Sequence, residues 1–174
     1  MKIKAILFFS LLVLITDLAS AQSLKYEFVK NCLIYTETEV IADLTARNFN
    51  FVTKDYVNLG DNLISRSDYY TSKKPNSTDT AEIAVFINKR KNSKKSVVFS
   101  FVETEAFANY NALESRIQAS LTKEASFKSD KFDVEVAKYS FEKNFYYLFK
   151  DEFTWYIIVS NFPLEEYYFT IKSK

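Results

Sequence analysis

Hydrophobic and polar positions alternate most regularly over residues 132–161. The stretch divides into three apolar runs separated by short polar pairs, which is the pattern of an antiparallel meander. In the first run Phe132, Val134 and Val136 alternate with Asp133, Glu135 and Ala137. The alternation slips at Ala137, and Tyr139 and Phe141 then carry it, so a bulge or a strand end is expected there. Phe145, Tyr147 and Phe149 share a face of the second run. In the third, Phe153, Trp155, Ile157 and Val159 share one face, and Tyr156 and Ile158 lie on the other. Apolar residues on both sides place that strand inside a sheet or at a contact. Asp151 and Glu152 read as the tight turn before it.

Upstream, residues 24–35 read as a short strand or helix. Thr36 to Glu39 then has the spacing of a capping box, in which the Thr36 hydroxyl accepts from the Glu39 amide and the Glu39 carboxylate reaches back. Val40, Ile41 and Leu44 follow at helical spacing, and Asn48 suits a left-handed terminator, which predicts a helix over 37–47. Weak strand patterns flank Gly60, and Pro75-Asn76-Ser77 marks a loop over 73–79. Residues 81–90 and 96–103 form a clear strand pair. Ile83, Val85 and Ile87 share a face of one; Val97, Phe99 and Phe101 share a face of the other. Residues 104–121 form a second helix, with Ala106, Tyr110, Leu113, Ile117 and Leu121 on one stripe. Residues 125–130 read as a polar connector and 164–174 as a short amphipathic tail. Segregated helices and hairpins argue an α+β fold, an antiparallel sheet backed by two helices. The order of elements allows two helix-plus-three-strand repeats.

The first 21 residues have a different character. Lys2 and Lys4 precede an apolar run from Ala5 to Ile15, and Ala19-Ser20-Ala21 supplies small residues for a signal peptidase. The run is shorter than the roughly 20 residues that span a bilayer. A cleavable signal peptide over 1–21 is therefore expected, followed by one α+β domain over 22–174 that is exported to the periplasm or beyond the cell. Cys32 lies eleven residues past Ala21, too far for lipidation at the cleavage site. Losing Lys2, Lys4 and Asp17 takes the formal charge from +1 to zero. A neutral chain offers no electrostatic case for nucleic acid, and no later segment is long and apolar enough to span a membrane.

Composition narrows the chemistry. The chain has no histidine, one cysteine and one glycine. Triads with an imidazole base, imidazole or thiolate metal sites, disulfides within the chain and glycine-rich phosphate loops all lack their residues. No cofactor is implied. Cys32, between Asn31 and Leu33, reads as a buried, inert thiol. Paired acids could still serve a glycosidase. Yet Asp151-Glu152 reads as a turn and Glu165-Glu166 as a solvated tail.

The remaining candidate surface is aromatic, because the chain carries 17 Phe, 12 Tyr and one Trp. Tyr139, Phe141, Tyr146 and Tyr156 are the expected binding face if helices cover the other side of the meander. The alternative is that both faces are covered and the rings pack on each other. Five of the seven residues from Lys89 to Lys95 are basic, and Lys91 and Lys94 are candidate anion contacts there. The competing reading is a solvated hairpin turn whose charges discourage strand pairing. The expected function is a non-catalytic interaction module that meets a protein or a cell-envelope component. A binder of a small apolar or glycan ligand between sheet and helices is the alternative.

Overall fold

A computed structural model describes residues 23–58, 64–72, 82–89, 94–165 and 169. The expected signal peptide, Gly60, the expected 73–79 loop, Lys91, Tyr167 and Tyr168 lie outside the described residues. Among the described residues three helices and eight strands follow in the order α1 (Tyr26–Asn31), α2 (Glu37–Ala46), β1 (Asn50–Asn58), β2 (Ile64–Thr71), β3 (Glu82–Lys89), β4 (Lys95–Val102), α3 (Glu103–Ser120), β5 (Thr122–Ser129), β6 (Val134–Phe141), β7 (Asn144–Lys150) and β8 (Thr154–Ser160). The strands form one antiparallel sheet in the order β1-β2-β3-β4-β8-β7-β6-β5. The α+β class is as expected, with a third short helix, α1. Each of α2 and α3 is followed by four strands, where three were expected.

Register decides the faces. On one face Val85, Phe99 and Ile157 stand in a row, as do Ile87, Val97, Val159 and Tyr146, and Tyr139 stands opposite Tyr146. This face meets the stripe of α3, where Ala106, Tyr110, Leu113, Ile117 and Leu121 are all buried. Phe28 and Val29 of α1 and Val40 and Leu44 of α2 complete the same core. The opposite face has a second core of Val98, Val136, Tyr147, Phe149 and Ile158, covered by Phe162, Leu164 and Phe169 from the tail. The third run of the meander is β8, paired with β4 and β7. Being interior and covered on both sides, it is apolar on both sides.

Two expectations are corrected. Residues 125–130 are not a connector; most of them belong to β5, which pairs with β6. β5 is an edge strand whose first five residues are exposed, so apolar alternation has no reason to appear. Lys123, Glu124 and Lys128 instead give it the charged character that deters a further strand. The slip at Ala137 is neither a bulge in β6 nor its end. β6 runs on to Phe141, and the register shift lies in its partner, between Lys123 and Ala125. Val134 and Val136 face the tail, whereas Ala137, Tyr139 and Phe141 face the helices. The tail packs on one face of β6 and the helices on the other, so both faces carry apolar residues.

Local signals elsewhere match. Thr36 and Glu39 form the capping box, with the Glu39 amide on the Thr36 hydroxyl and the Thr36 amide on the Glu39 carboxylate at 2.8 Å. Asn48 closes α2 with φ of 60°, the left-handed region that Asn tolerates. α1 has six residues and no side-chain N-cap. Its far end is held from outside instead: Tyr146 Oη donates to Lys30 O at 2.9 Å, and Lys95 Nζ donates to Cys32 O at 2.8 Å and Tyr35 O at 3.3 Å.

Candidate binding surfaces

The four aromatic candidates do not share one face. Tyr139 and Tyr146 are buried in the helix-side core. Burial raises the pKa of both phenols, so each stays a neutral hydrogen-bonding group. Phe141 is half-buried on the same side, with Lys30 Nζ 4.1 Å from its ring centre. Tyr156 lies on the opposite face, stacked on Phe149 at 4.7 Å and 13°, and its hydroxyl donates to Asp151 at 2.9 Å. Lys94 is exposed, with its ammonium 5.1 Å from the Phe162 ring. The basic run is in part structural. Lys95 caps α1, and Lys89 pairs with Glu37 at 2.8 Å.

The face opposite the helices was the expected one, but of the four candidates only Tyr156 lies on it, and Tyr69 and Phe86 were not among them. Tyr69 of β2 and Phe86 of β3 stack there at 4.6 Å and 15°. Both are half-buried, as is Tyr156 two strands further on. Between them β4 presents Ser100, directly opposite Tyr156 and Ala84. The tail covers the same face over β6, β7 and β8. Phe169 packs against Phe127, Phe132, Tyr147 and Phe149, and Ser129 Oγ donates to its carbonyl at 3.1 Å.

Ionised groups tie elements together. Arg66 binds both Asp68 and Glu37, and Glu37 also takes Lys89, which clasps the start of α2 to β2 and β3. Arg66 and Lys89 hold the Glu37 carboxyl down at about 2. Lys138 bridges Glu124 at 2.9 Å and Glu165 at 2.6 Å, and Tyr147 Oη donates to Glu165 at 3.0 Å. Burial pulls the Lys138 pKa down, but the two carboxylates outweigh it and the net shift is upward. Glu165 is therefore a partner of the sheet and not a solvated tail residue. The polar neighbourhood in sequence gave no sign that Tyr147 and Lys138 would meet it.

Cys32 is fully buried, and its thiol donates to Val29 O at 3.2 Å. Burial pushes its pKa up to about 12 despite Lys95 nearby, which leaves no thiolate for chemistry. Among the described residues no group of His, Cys, Asp and Glu could hold a metal ion. No described helix is long and apolar enough to cross a membrane.

The space between helices and sheet, where a small ligand was expected, holds core side chains such as Phe99, Phe101 and Tyr110. A recess of about 350 Å³ lies instead between α1 and α3. Asn109 of α3 fixes its inner wall, accepting from Leu24 N at 2.9 Å and donating to Leu24 O at 3.0 Å.

With this geometry known, comparison yields no relative. No protein-family model, no curated protein and no solved structure matches the chain.

Proposed function

We propose that the chain is exported, loses residues 1–21, and acts in the periplasm or outside the cell as a non-catalytic interaction module. Its partner, a protein or another cell-envelope component, meets an aromatic sheet face. The face is the one opposite the helices, centred on Tyr69, Phe86 and Tyr156. One observation carries the reading: these rings are half-buried and stack face to face across neighbouring strands, whereas Tyr139 and Tyr146 on the other face are buried. Rigid rings give large contact area at small entropic cost, which is why Tyr and Phe recur in binding surfaces. We also read the two halves, each a helix followed by antiparallel strands, as one repeated unit joined through β4 and β8.

Site-specific photo-crosslinking in the native host tests the reading. A crosslinking residue at Phe86 or Tyr156 is expected to trap one discrete adduct. The same probe at Phe153, on the exposed β7–β8 turn, should not trap it. Equal labelling at all three positions, or none, overturns the proposal. Fractionation with N-terminal sequencing tests export. A mature chain starting at Gln22 is expected, and a full-length cytosolic chain refutes it.

A further inference from the structure

We propose that the outer edge of β1 is a docking site for a second copy of this chain, the two β1 strands pairing antiparallel. The inference goes beyond the sheet-face reading, since it concerns the rim of the sheet and not the face centred on Tyr69, Phe86 and Tyr156. Among the described residues the sheet has two rims, β1 and β5, and they differ. β5 exposes Thr122, Lys123, Glu124, Ala125 and Ser126, with no large apolar side chain among them. β1 exposes Phe51 and Val52, at 54% and 49%. Charge on a rim deters a further strand, whereas adjacent exposed apolar residues invite one.

Three observations lead from an open rim to a second copy. First, β1 offers a regular ladder. Its bulge lies between Phe51 and Thr53, and from Thr53 to Asn58 the register with β2 is unbroken. Lys54, the lysine of the strand, reaches inward to Asp68 at 3.9 Å and not outward along the rim. Second, the helix-side core runs out to this rim. Phe51 packs edge-on against Tyr70, 5.5 Å between ring centres, and Tyr70 is buried in that core. More than half of Phe51 stays exposed all the same. Ile41, also exposed, lies on the flank of α2 away from Asp43 and Arg47, which face Ser23 just before α1. A second copy brings the same apolar border to the seam. Third, the two rims allow closure. A two-fold axis normal to the sheet relates two antiparallel β1 strands, keeps both helix layers on one side, and leaves a β5 at each outer rim. Because β5 carries charge, the assembly stops at two copies. The chain is close to neutral, with a formal charge of +1, so the copies do not repel each other.

Sedimentation analysis of the full mature chain over a range of concentrations tests the proposal, with amide hydrogen exchange to locate the contact. A monomer–dimer equilibrium is expected, with no larger species. Amides from Thr53 to Asn58 should exchange more slowly as the dimer forms, and those from Thr122 to Ser126 should not change. Val52→Lys and Phe51→Ser should each weaken the dimer at least about tenfold, whereas Ala125→Lys on β5 should leave it as it was. Melting at a concentration where the wild type is monomeric checks the fold of each variant. Val52 is exposed, so Val52→Lys is expected to melt like the wild type. A chain that stays monomeric up to about 1 mM overturns the proposal. A dimer that both β1 substitutions leave intact, or slowed exchange confined to other elements, overturns it too. So does a monomer whose β1 amides are protected only by an unlike partner. The crosslinks at Phe86 and Tyr156 report on the sheet face separately.

Discussion

Tyr26 has a buried hydroxyl with no hydrogen-bond partner among the described residues. Such a group loses its water on folding and gains nothing in return, at a cost of about 1–3 kcal/mol. Tyr26→Phe keeps the ring and removes the unmet group, so urea unfolding should give equal or higher stability, by up to about 2 kcal/mol. A clear loss would mean that the hydroxyl has a partner, such as an ordered water. Trp155 presents the opposite case. It is half-buried, with its ring 4.5 Å from Phe107 and 6.4 Å from Tyr110, and it ties β8 to α3. Trp155→Ala should cost about 2–4 kcal/mol, somewhat below a fully buried aromatic. An unchanged melting temperature would remove the ring from the core. The core side of Trp155 was legible in its alternation with Ile157 and Val159. The loneliness of the Tyr26 hydroxyl was not, because it depends on what surrounds α1 and not on the residues beside it.

At the scale of elements, the signals that were legible are the ones carried by neighbouring residues. The capping box, the left-handed Asn48, the α3 stripe and the alternation of β3, β4, β7 and β8 all lie within single segments. α1 was ambiguous because six residues hold too little periodicity and its stabilising contacts come from Tyr146 and Lys95. β5 was misread because an exposed edge strand has no apolar face to display. The candidate face failed on parity. Lys150 pairs with Trp155, leaving four residues between them. An even number sets Tyr156 beside Phe149; an odd number would have set it on the side of Tyr146. The clasp at the start of α2 is likewise an element-level device, assembled from β2, β3 and α2. Glu37 has its pKa lowered from 4.5 to about 2 by Arg66 and Lys89. A depressed carboxyl stabilises the fold above the unfolded-state value, and that contribution disappears as pH falls through the folded-state value. The window is therefore from about 4.5 down to about 2. Because Glu37 is substantially exposed, the contribution should be about 1 kcal/mol or less. Unfolding midpoints for wild type and Glu37→Gln should differ most above this window and converge towards its lower end. A difference independent of pH would show that the charge is not what matters.

At the scale of the whole molecule, the described residues form a single sheet with cores on both faces, and the two covers differ in kind. Three helices cover one face with a continuous stripe. On the other, a short segment after β8 contributes Phe162, Leu164 and Phe169, all buried. Its polar attachments are few but specific. Leu164 N donates to Tyr147 Oη at 3.0 Å, Lys138 holds Glu165, and Ser129 Oγ and Lys131 N donate to Phe169 O. The sequence showed an amphipathic tail but not its destination, since nothing in residues 164–169 encodes which sheet face they will meet. Deleting the chain from Leu164 onward removes two of the three buried side chains and leaves Tyr147, Val136 and Phe149 facing water. The helix-side core is untouched, so the truncated chain should keep its far-ultraviolet circular dichroism. It should bind a dye for exposed apolar surface and lose several kcal/mol of stability, about the sum of two large core deletions. Phe169→Ala alone should give the dye signal in part, at a cost of about 3–5 kcal/mol. Glu165→Gln breaks the ion pair but leaves the rings in place, and it should give almost none. If the truncated chain is as stable as the full one and binds no dye, the tail is not the cover of this face, and the second core would have to be closed by other residues.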